Sequence, residues 1–539
     1  MKNAAAARRG LLALLIAHQV VLSAIWVEWD QGPPGWDQSI PLVKSLLLKK
    51  AFDADGVVGL MHAFPAVDRL QPPLLAALIF PVYALVGVTP DAAQVINYMA
   101  IIALGLALYG IGCRLVGPAA GLVAVYVAGT MPLLFGLSRQ SYPEFPLAAA
   151  TTLCIYLLVR SDDFRRRGSG IVLGIGIGLG LLLKMSFPVF VAAPLIVACT
   201  RRLRDPAGRD LSGRLVADLL AVAVPAGLVA APWYLPNTAT GLSYGLSAAY
   251  GHIASLENFG PVWSPLTLAG FLDLFVAWGP SYFYGLLFLA LFLLPASESE
   301  SSARPIVAAW VIGSLVVFAT ALNKDIRYLA PMLPGFALLL GDRLVRVWRP
   351  WSVRWRSAFL LVPLISMYAV SFIPFEKWHG HPVIKVMARG MGAGFFVHPP
   401  RVDDWKTPDI VLALDQHATD LDVPGRDVRV VLTTNHGSFH KDLFNYTSLA
   451  IDRPYRFDSL PHYDPEVSLP VMLKALANAD FILGTTGWQG PEYATQYNGR
   501  IHALLDRGAL PFARVPLSIR LPAGSEVRLY RRVAYELGS

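Results

Sequence analysis

Apolar stretches of about 18 or more residues recur along this chain, and each is long enough to cross a bilayer core of about 30 Å. Inside a bilayer every backbone N–H and C=O must be satisfied within the protein, so runs of this length without two-residue alternation predict helices. The predicted spans are 10–27, 92–114, 118–136, 143–160, 170–184, 186–200, 214–232, 268–294, 304–321, 327–345 and 357–374. Only 15% of the 539 residues are charged and 55% are hydrophobic, whereas a soluble domain carries about 25% charge. The first stretch follows Arg8 and Arg9 and is followed by Glu28, Trp29 and Asp30. With no small-residue cleavage site there, it is expected to be an uncleaved first helix with a cytoplasmic N-terminus.

The distribution of charge sets the expected topology. The segment 74–88 is shorter than the others, preceded by Pro72-Pro73 and interrupted by Pro81. If it does not cross, Arg114, Arg160 and 165–167, the arginines of 201–214, and those of 343–356 all fall in the cytoplasm. The loop 233–269, which has no Lys or Arg, falls outside. If it does cross, every one of those loops breaks the positive-inside rule. The expectation is therefore about eleven spans, with 74–88 lying as a juxtamembrane helix at the outer interface. The net charge of +8 is explained by these basic loops, so no nucleic-acid partner is expected. Cys113, Cys154 and Cys199 all lie in apolar segments and read as packing residues.

This topology divides the chain into a membrane domain, 1–375, whose first outer loop is 28–91, and an extracytoplasmic domain, 376–539. In the second part polar residues, Pro and His rise. Val428–Leu432 and Phe481-Ile482-Leu483 read as buried strands, 471–479 as a helix with Pro470 in its first turn, and 527–530 as an edge strand. The expected fold class is an α-helical multi-pass membrane protein with a C-terminal extracytoplasmic α/β domain.

Several charged residues gather on the predicted outer side. Asp37 sits in the turn-rich run Pro33-Pro34-Gly35-Trp36-Asp37-Gln38. Alone, it reads equally as a solvated carboxylate or a helix N-cap. Glu144 opens a span in Ser141-Tyr142-Pro143-Glu144, where the helix dipole favours a carboxylate. Lys324-Asp325-Ile326-Arg327-Tyr328 opens another span. Cations there oppose the dipole, which an anionic partner such as a lipid phosphate would offset; interfacial snorkelling is the other reading. Lys184, in Leu183-Lys184-Met185-Ser186, has the same two readings. Gly174, Gly176, Gly178 and Gly180 lie within an apolar run with no preceding strand, which points to helix packing and not a nucleotide loop. His436 and His440 have the spacing of a metal pair, but no third ligand is implied.

Read in order, these pieces resemble the GT-C type membrane glycosyltransferases. The likeness is strongest to the branch with the protein O-mannosyltransferases and the lipid A aminoarabinose transferase. The matching segments are Trp36-Asp37-Gln38, Gln71-Pro72-Pro73-Leu74, Arg114 to Gly121, Glu144 after the Arg139 turn, Lys184, Ala231-Pro232-Trp233, and Lys324 to Pro331. The resemblance implies that Asp37 is the catalytic carboxylate and that Glu144, which stands where relatives usually have Asp, is the second catalytic residue. Lys184, Lys324, Arg327, Tyr328 and Gln71 are then expected to bind substrate. Relatives commonly have His before the Pro-Pro pair and an acidic residue after the first-loop Asp, where this chain has Gln71 and Gln38.

The implied reaction moves a sugar from a polyprenyl-phosphate donor to a hydroxyl of a glycan, lipid or protein on the outer face of the plasma membrane, with inversion. Asp37 would be the general base and the cations would stabilise the departing phosphate. No cofactor is required; a divalent metal beside Glu144 is compatible with the scheme. The alternative is a transporter or flippase of lipid-linked sugars. Such proteins usually place charges at the bilayer midplane within repeated halves, and neither feature is visible here.

Overall fold

The computed structural model describes residues 2–115, 117–204, 211–256, 260–293, 303–348, 352–375, 381–418 and 427–533. The expected boundary at 375/376 adjoins residues 376–380, which lie outside the described residues. The chain forms two compact units. The first comprises Met1–Trp29, Met61–Leu78 and Ala93–Pro400; the second comprises Asp30–Leu60, Ile79–Ala92 and Arg401–Ser539.

The first unit is helical. Among the described residues five helices are long and apolar enough to cross a membrane: Asn3–Trp29, Ala92–Leu115, Arg214–Leu256, Ile326–Val347 and Val353–Phe372. The protein is thus a multi-pass membrane protein, and several expected spans take a different form. The run 268–294 was expected as one span. It is two helices, Pro265–Trp278 and Ser281–Leu293, bent by 109°. Pro280 has no N–H to continue the ladder, and Ser281 turns with φ 73. The run 118–136 is likewise Pro118–Gly129 followed by Pro132–Leu137. The span expected at 214–232 continues as a helix to Tyr250 despite Pro225, Pro232 and Pro236. Trp233 is fully buried there, and its indole N–H donates to the Asp68 carbonyl at 2.8 Å. Tertiary anchoring thus overrides the stop signal that Pro232 suggests. Leu74–Val86 is a 13-residue helix, about 20 Å long, shorter than a bilayer core.

Burial separates the centre of this unit from its periphery. In Ile326–Val347, 83% of the apolar window is buried, against 22% in Val353–Phe372. The second helix exposes Trp355, Leu361, Val362 and Ile365, as a lipid-facing helix does. Glu144–Arg160 buries twelve residues, from Glu144 to Leu158. The alternating glycines serve close packing. A Cβ at Gly174 would lie 2.2 Å from the Val222 carbonyl oxygen, and one at Gly178 would lie 2.8 Å from that of Ala226. Gly174 and Gly178 therefore let the Arg167–Leu183 and Leu211–Tyr250 backbones touch.

The second unit contains a five-stranded sheet of β1 (Val428–Leu432), β2 (Tyr455–Ser459), β3 (Phe481–Thr485), β4 (Phe512–Val515) and β5 (Val527–Arg532), in the order β2-β1-β3-β5-β4. β1 runs parallel to β2 and β3, and β5 pairs antiparallel with β3 and β4. Alternate residues feed opposite faces. Val430, Leu432, Phe481 and Leu483 enter one core with Ile410, Val411 and Leu414; Val431 and Ile482 enter the other with Met472, Leu476 and Ile501. β5 lies inside the sheet and not at its edge: its backbone pairs with both β3 and β4, and its buried Val527 and Leu529 enter one core while Tyr530 enters the other. The edges are β2 and β4, whose short mixed runs carry little signal in the sequence.

Part of the first predicted outer loop belongs to this unit. Asp30 forms an ion pair with Arg401 at 2.8 Å, and the Gln31 N–H donates to the Arg401 carbonyl at 2.8 Å. The expected 471–479 helix is Leu469–Leu476, with Pro470 in its first turn.

Candidate active site

In the first unit, four of the predicted side chains converge. Pro143 caps the Glu144–Arg160 helix and places Glu144 in its first turn, where the helix dipole favours a carboxylate. Glu144 is 1% exposed. Its Oε1 accepts from Lys184 Nζ and lies 3.7 Å from Arg327 Nε. Lys184 ends the Arg167–Leu183 helix in an extended conformation, φ −160 and ψ 140, which turns its side chain out of the helical path. Its ammonium lies 4.1 Å from the centre of the Tyr328 ring. Arg327 pairs with Asp325 at 2.7 Å and covers the rings of Tyr142 at 4.8 Å and Tyr328 at 5.2 Å.

Arg327 is positioned by a local device. Asp325 caps the Ile326–Met332 helix by accepting the Arg327 N–H at 3.0 Å, while Asn323 accepts the Asp325 N–H at 2.9 Å. Burial raises the Asp325 carboxyl above the usual carboxylate range, and the Arg327 guanidinium opposes that shift. Two carboxylates and two cations thus share one partly dry site. Glu144 Oε2 is buried with no partner among the described residues, so the cluster retains unfilled capacity to accept a hydrogen bond.

The turn before Glu144 is rigid. Asn97 Nδ2 donates to the Gln94 side chain and to the Gln140 carbonyl, each at 2.8 Å, and Gln94 donates to Ser141 Oγ at 2.9 Å. Arg139, 3% exposed, lies over the rings of Trp26 at 4.3 Å and Phe135 at 4.2 Å. Sequence reading missed Tyr142, Asp325 and this amide network as parts of the site. Tyr142 and Asp325 adjoin residues that were singled out, but nothing in local spacing connects Gln94 and Asn97 to position 140.

Lys324 and Gln71 have other partners. Lys324 is 1% exposed and donates to the carbonyls of Phe318 at 3.2 Å and Ala319 at 2.7 Å. It caps the end of the Arg304–Thr320 helix, which suits a cation, and burial lowers its pKa. Gln71 donates to Tyr244 Oη at 3.0 Å, which ties it to the Leu211–Tyr250 helix. Among the described residues, no three His, Cys, Asp or Glu side chains come together as metal ligands.

Asp37 lies in the second unit, exposed, within the single turn Trp36–Gln38. Its neighbour Trp36 has φ 33, a left-handed conformation that costs a tryptophan about 1–3 kcal/mol. The turn is held from both sides. Gln38 N–H donates to the Gly35 carbonyl at 2.9 Å, Ser39 Oγ donates to that of Pro34 at 3.0 Å, and His440 Nε2 donates to the same Pro34 oxygen at 3.3 Å. His440 Nδ1 accepts the Leu443 N–H at 3.4 Å, so the ring is neutral, and burial lowers its pKa to about 4. Asp442 close by is raised above the usual carboxylate range, by burial first and then by Asp37.

Residues 70–226 match the family model described as dolichyl-phosphate-mannose-protein mannosyltransferase. The structure of ArnT from Cupriavidus metallidurans bound to undecaprenyl phosphate superposes with a TM-score of 0.60 at 15% identity, covering 98% of this chain and 99% of that one. The archaeal oligosaccharyltransferase AglB from Archaeoglobus fulgidus, in complex with an inhibitory peptide and a dolichol-phosphate, matches with a TM-score of 0.51 at 12% identity, covering 97% and 75%. No curated protein matches the sequence. The likeness over nearly the full length of ArnT, together with the matched segment, makes this chain's fold that of the GT-C type membrane glycosyltransferases.

Proposed function

We propose that the protein transfers a sugar from a polyprenyl-phosphate donor to a hydroxyl acceptor, at the outer face of the plasma membrane and with inversion. The observation that carries this reading is the convergence of Lys184 and Arg327 on buried Glu144. In this scheme the topology has about eleven spans and an extracytoplasmic C-terminal domain. The donor's tail stays in lipid while its phosphate meets Lys184 and Arg327. Glu144 and Asp325 hold these cations in place before the donor arrives, so little reorganisation is needed as charge develops. Asp37 takes the proton of the acceptor hydroxyl, and that oxygen attacks the anomeric carbon opposite the phosphate. The anomeric C–O bond breaks, and its electron pair leaves with the phosphate as a monoester dianion. Lys184 and Arg327 stabilise that added negative charge. Support for the donor class comes from the lipid phosphates bound to ArnT and AglB. Lys324, which caps a helix, has a structural role in this scheme, as does Gln71.

The test is binding of undecaprenyl phosphate to the purified full chain. Arg327→Ala should weaken it by tenfold or more, and Arg327→Lys by less. Unchanged binding in a well-folded Arg327→Ala protein would make the cluster a structural ion-pair network only.

A further inference from the structure

Beside the Asp37 turn, the second unit carries a rigid group of aromatic rings that the scheme above does not use. β1 and β3 are adjacent and parallel, yet β1 connects onward to β2 on its other side. The chain thus changes direction between them, and crevices at such points, beyond the carboxyl ends of the strands, are where α/β sheets bind ligands. The loops leaving these two ends are locked together. Asn435 N–H donates to the Gln489 carbonyl at 2.8 Å, Gln489 Nε2 donates to the Thr485 carbonyl at 2.8 Å, and Asn498 Nδ2 bridges Gln489 Oε1 and the Thr433 carbonyl at 2.7 Å each. Gly490 at φ 133 lets the loops touch, because a Cβ there would lie 2.4 Å from the Asn435 carbonyl oxygen.

On this base the His436 ring stacks on Trp405 at 4.4 Å and meets Trp488 edge-on at 4.8 Å. Trp488 is 62% exposed although its loop is fixed. His436 Nδ1 accepts the Ser438 N–H at 3.0 Å, which leaves Nε2–H as a donor. His462 donates from Nδ1 to the Leu460 carbonyl at 2.8 Å and accepts from Asn435 Nδ2 at 3.4 Å, so Asn435 turns its Oδ1 away from that bond. The same 436–440 segment supports the Asp37 turn, since a Cβ at Gly437 would lie 3.4 Å from the Trp36 ring.

We propose that Trp405, His436 and Trp488 form a carbohydrate-binding platform, and that the acceptor is therefore a glycan. The acceptor assignment rests on Asp37 being the base, whereas the platform itself does not. A sugar ring offers an apolar C–H face edged with hydroxyls. The exposed Trp488 face matches the first, and the imidazole donor and the Asn435 amide oxygen match the second. A purely lipid-facing wedge would have no use for the amide and imidazole groups behind the rings.

The experiment measures binding of α-mannose-, β-glucose-, arabinose- and N-acetylglucosamine-based oligosaccharides to the full-length protein in detergent, without donor. Binding read this way does not depend on which residue catalyses transfer. At least one saccharide class should bind, with affinity lowered tenfold or more by Trp488→Ala and less than threefold by Trp488→Phe. Trp488 is exposed, so both variants should keep the parent's amide-exchange pattern. In transfer assays Trp488→Ala should raise KM for that saccharide and leave kcat within about threefold. Absence of saccharide binding, or binding unaffected by Trp488→Ala, would overturn the proposal. So would a Trp488→Ala protein that keeps saccharide affinity but loses affinity for phosphatidylglycerol vesicles, which would make the rings a lipid seat.

Discussion

Glu144 cannot be removed without exposing what it neutralises. Breaking one partner of a buried ion cluster leaves the others uncompensated, at a cost of about 3–5 kcal/mol. Glu144→Gln is therefore expected to lower the unfolding temperature of the purified protein as well as its activity. Asp37 is exposed, so Asp37→Asn should leave that temperature within about a degree of the parent while turnover falls about 10²–10⁴-fold. A stable Glu144→Gln protein beside an unstable Asp37→Asn protein would reverse the two assignments. Local sequence carried much of this site. Lys184, Glu144 and Arg327 were legible because charges at the ends of apolar runs need a reason. Lys324 has the same signature, yet it caps the Arg304–Thr320 carbonyls. Sequence marks that a cation is unusual but not which way its side chain turns.

At the scale of elements, the close approach at Gly174 gives a direct prediction. Gly174→Val would drive branched carbons into the Val222 backbone. It should destabilise the packed helix pair by about 1–3 kcal/mol, visible as a lower detergent unfolding midpoint, whereas Gly168→Ala, with open space around it, should not. In the second unit, His440 and His502 are buried and neutral, each with its pKa lowered to about 4. The unfolded chain binds these protons near pH 6.5, so between about 6.5 and 4 it holds more protons than the folded one. The stabilisation is complete above pH 6.5 and is lost as pH falls toward 4. Hydrogen-exchange protection of the full-length protein, relative to the intrinsic rate at each pH, should therefore fall in Lys441–Ala450 and Asn498–Asp506 across that window; protection unchanged down to pH 4 would contradict the buried neutral rings. Elements with one dominant signal were readable in the sequence, such as β1, β3 and the glycine-rich helix. The bend at 279–281 was hidden in the hydropathy pattern, which runs unbroken through it, although the Gly279-Pro280 pair is a local break signal. The helix beyond Pro232 was hidden because Trp233 finds its anchor at Asp68, 165 residues away in the sequence.

For the whole molecule, the asymmetry of basic loops predicts which surfaces face out. In a background lacking Cys113, Cys154 and Cys199, a membrane-impermeant thiol reagent applied to intact cells should label cysteines placed at Val57, Tyr250 and Tyr463, and spare those at Arg165 and Arg354. Labelling at Arg165 from outside would invert the topology. The allocation of the chain to two units was not legible, because it depends on contacts such as Asp30 with Arg401 that lie far apart in sequence. The central claim is that this chain moves a sugar within the cell envelope and that Asp37 is required for it. Mass spectrometry of envelope glycans and glycolipids from cells with the protein, without it, and with only Asp37→Asn tests this most directly. The prediction is one sugar missing from the same acceptor in both the deletion and the Asp37→Asn strain; an envelope profile unchanged by deletion of the protein would contradict it.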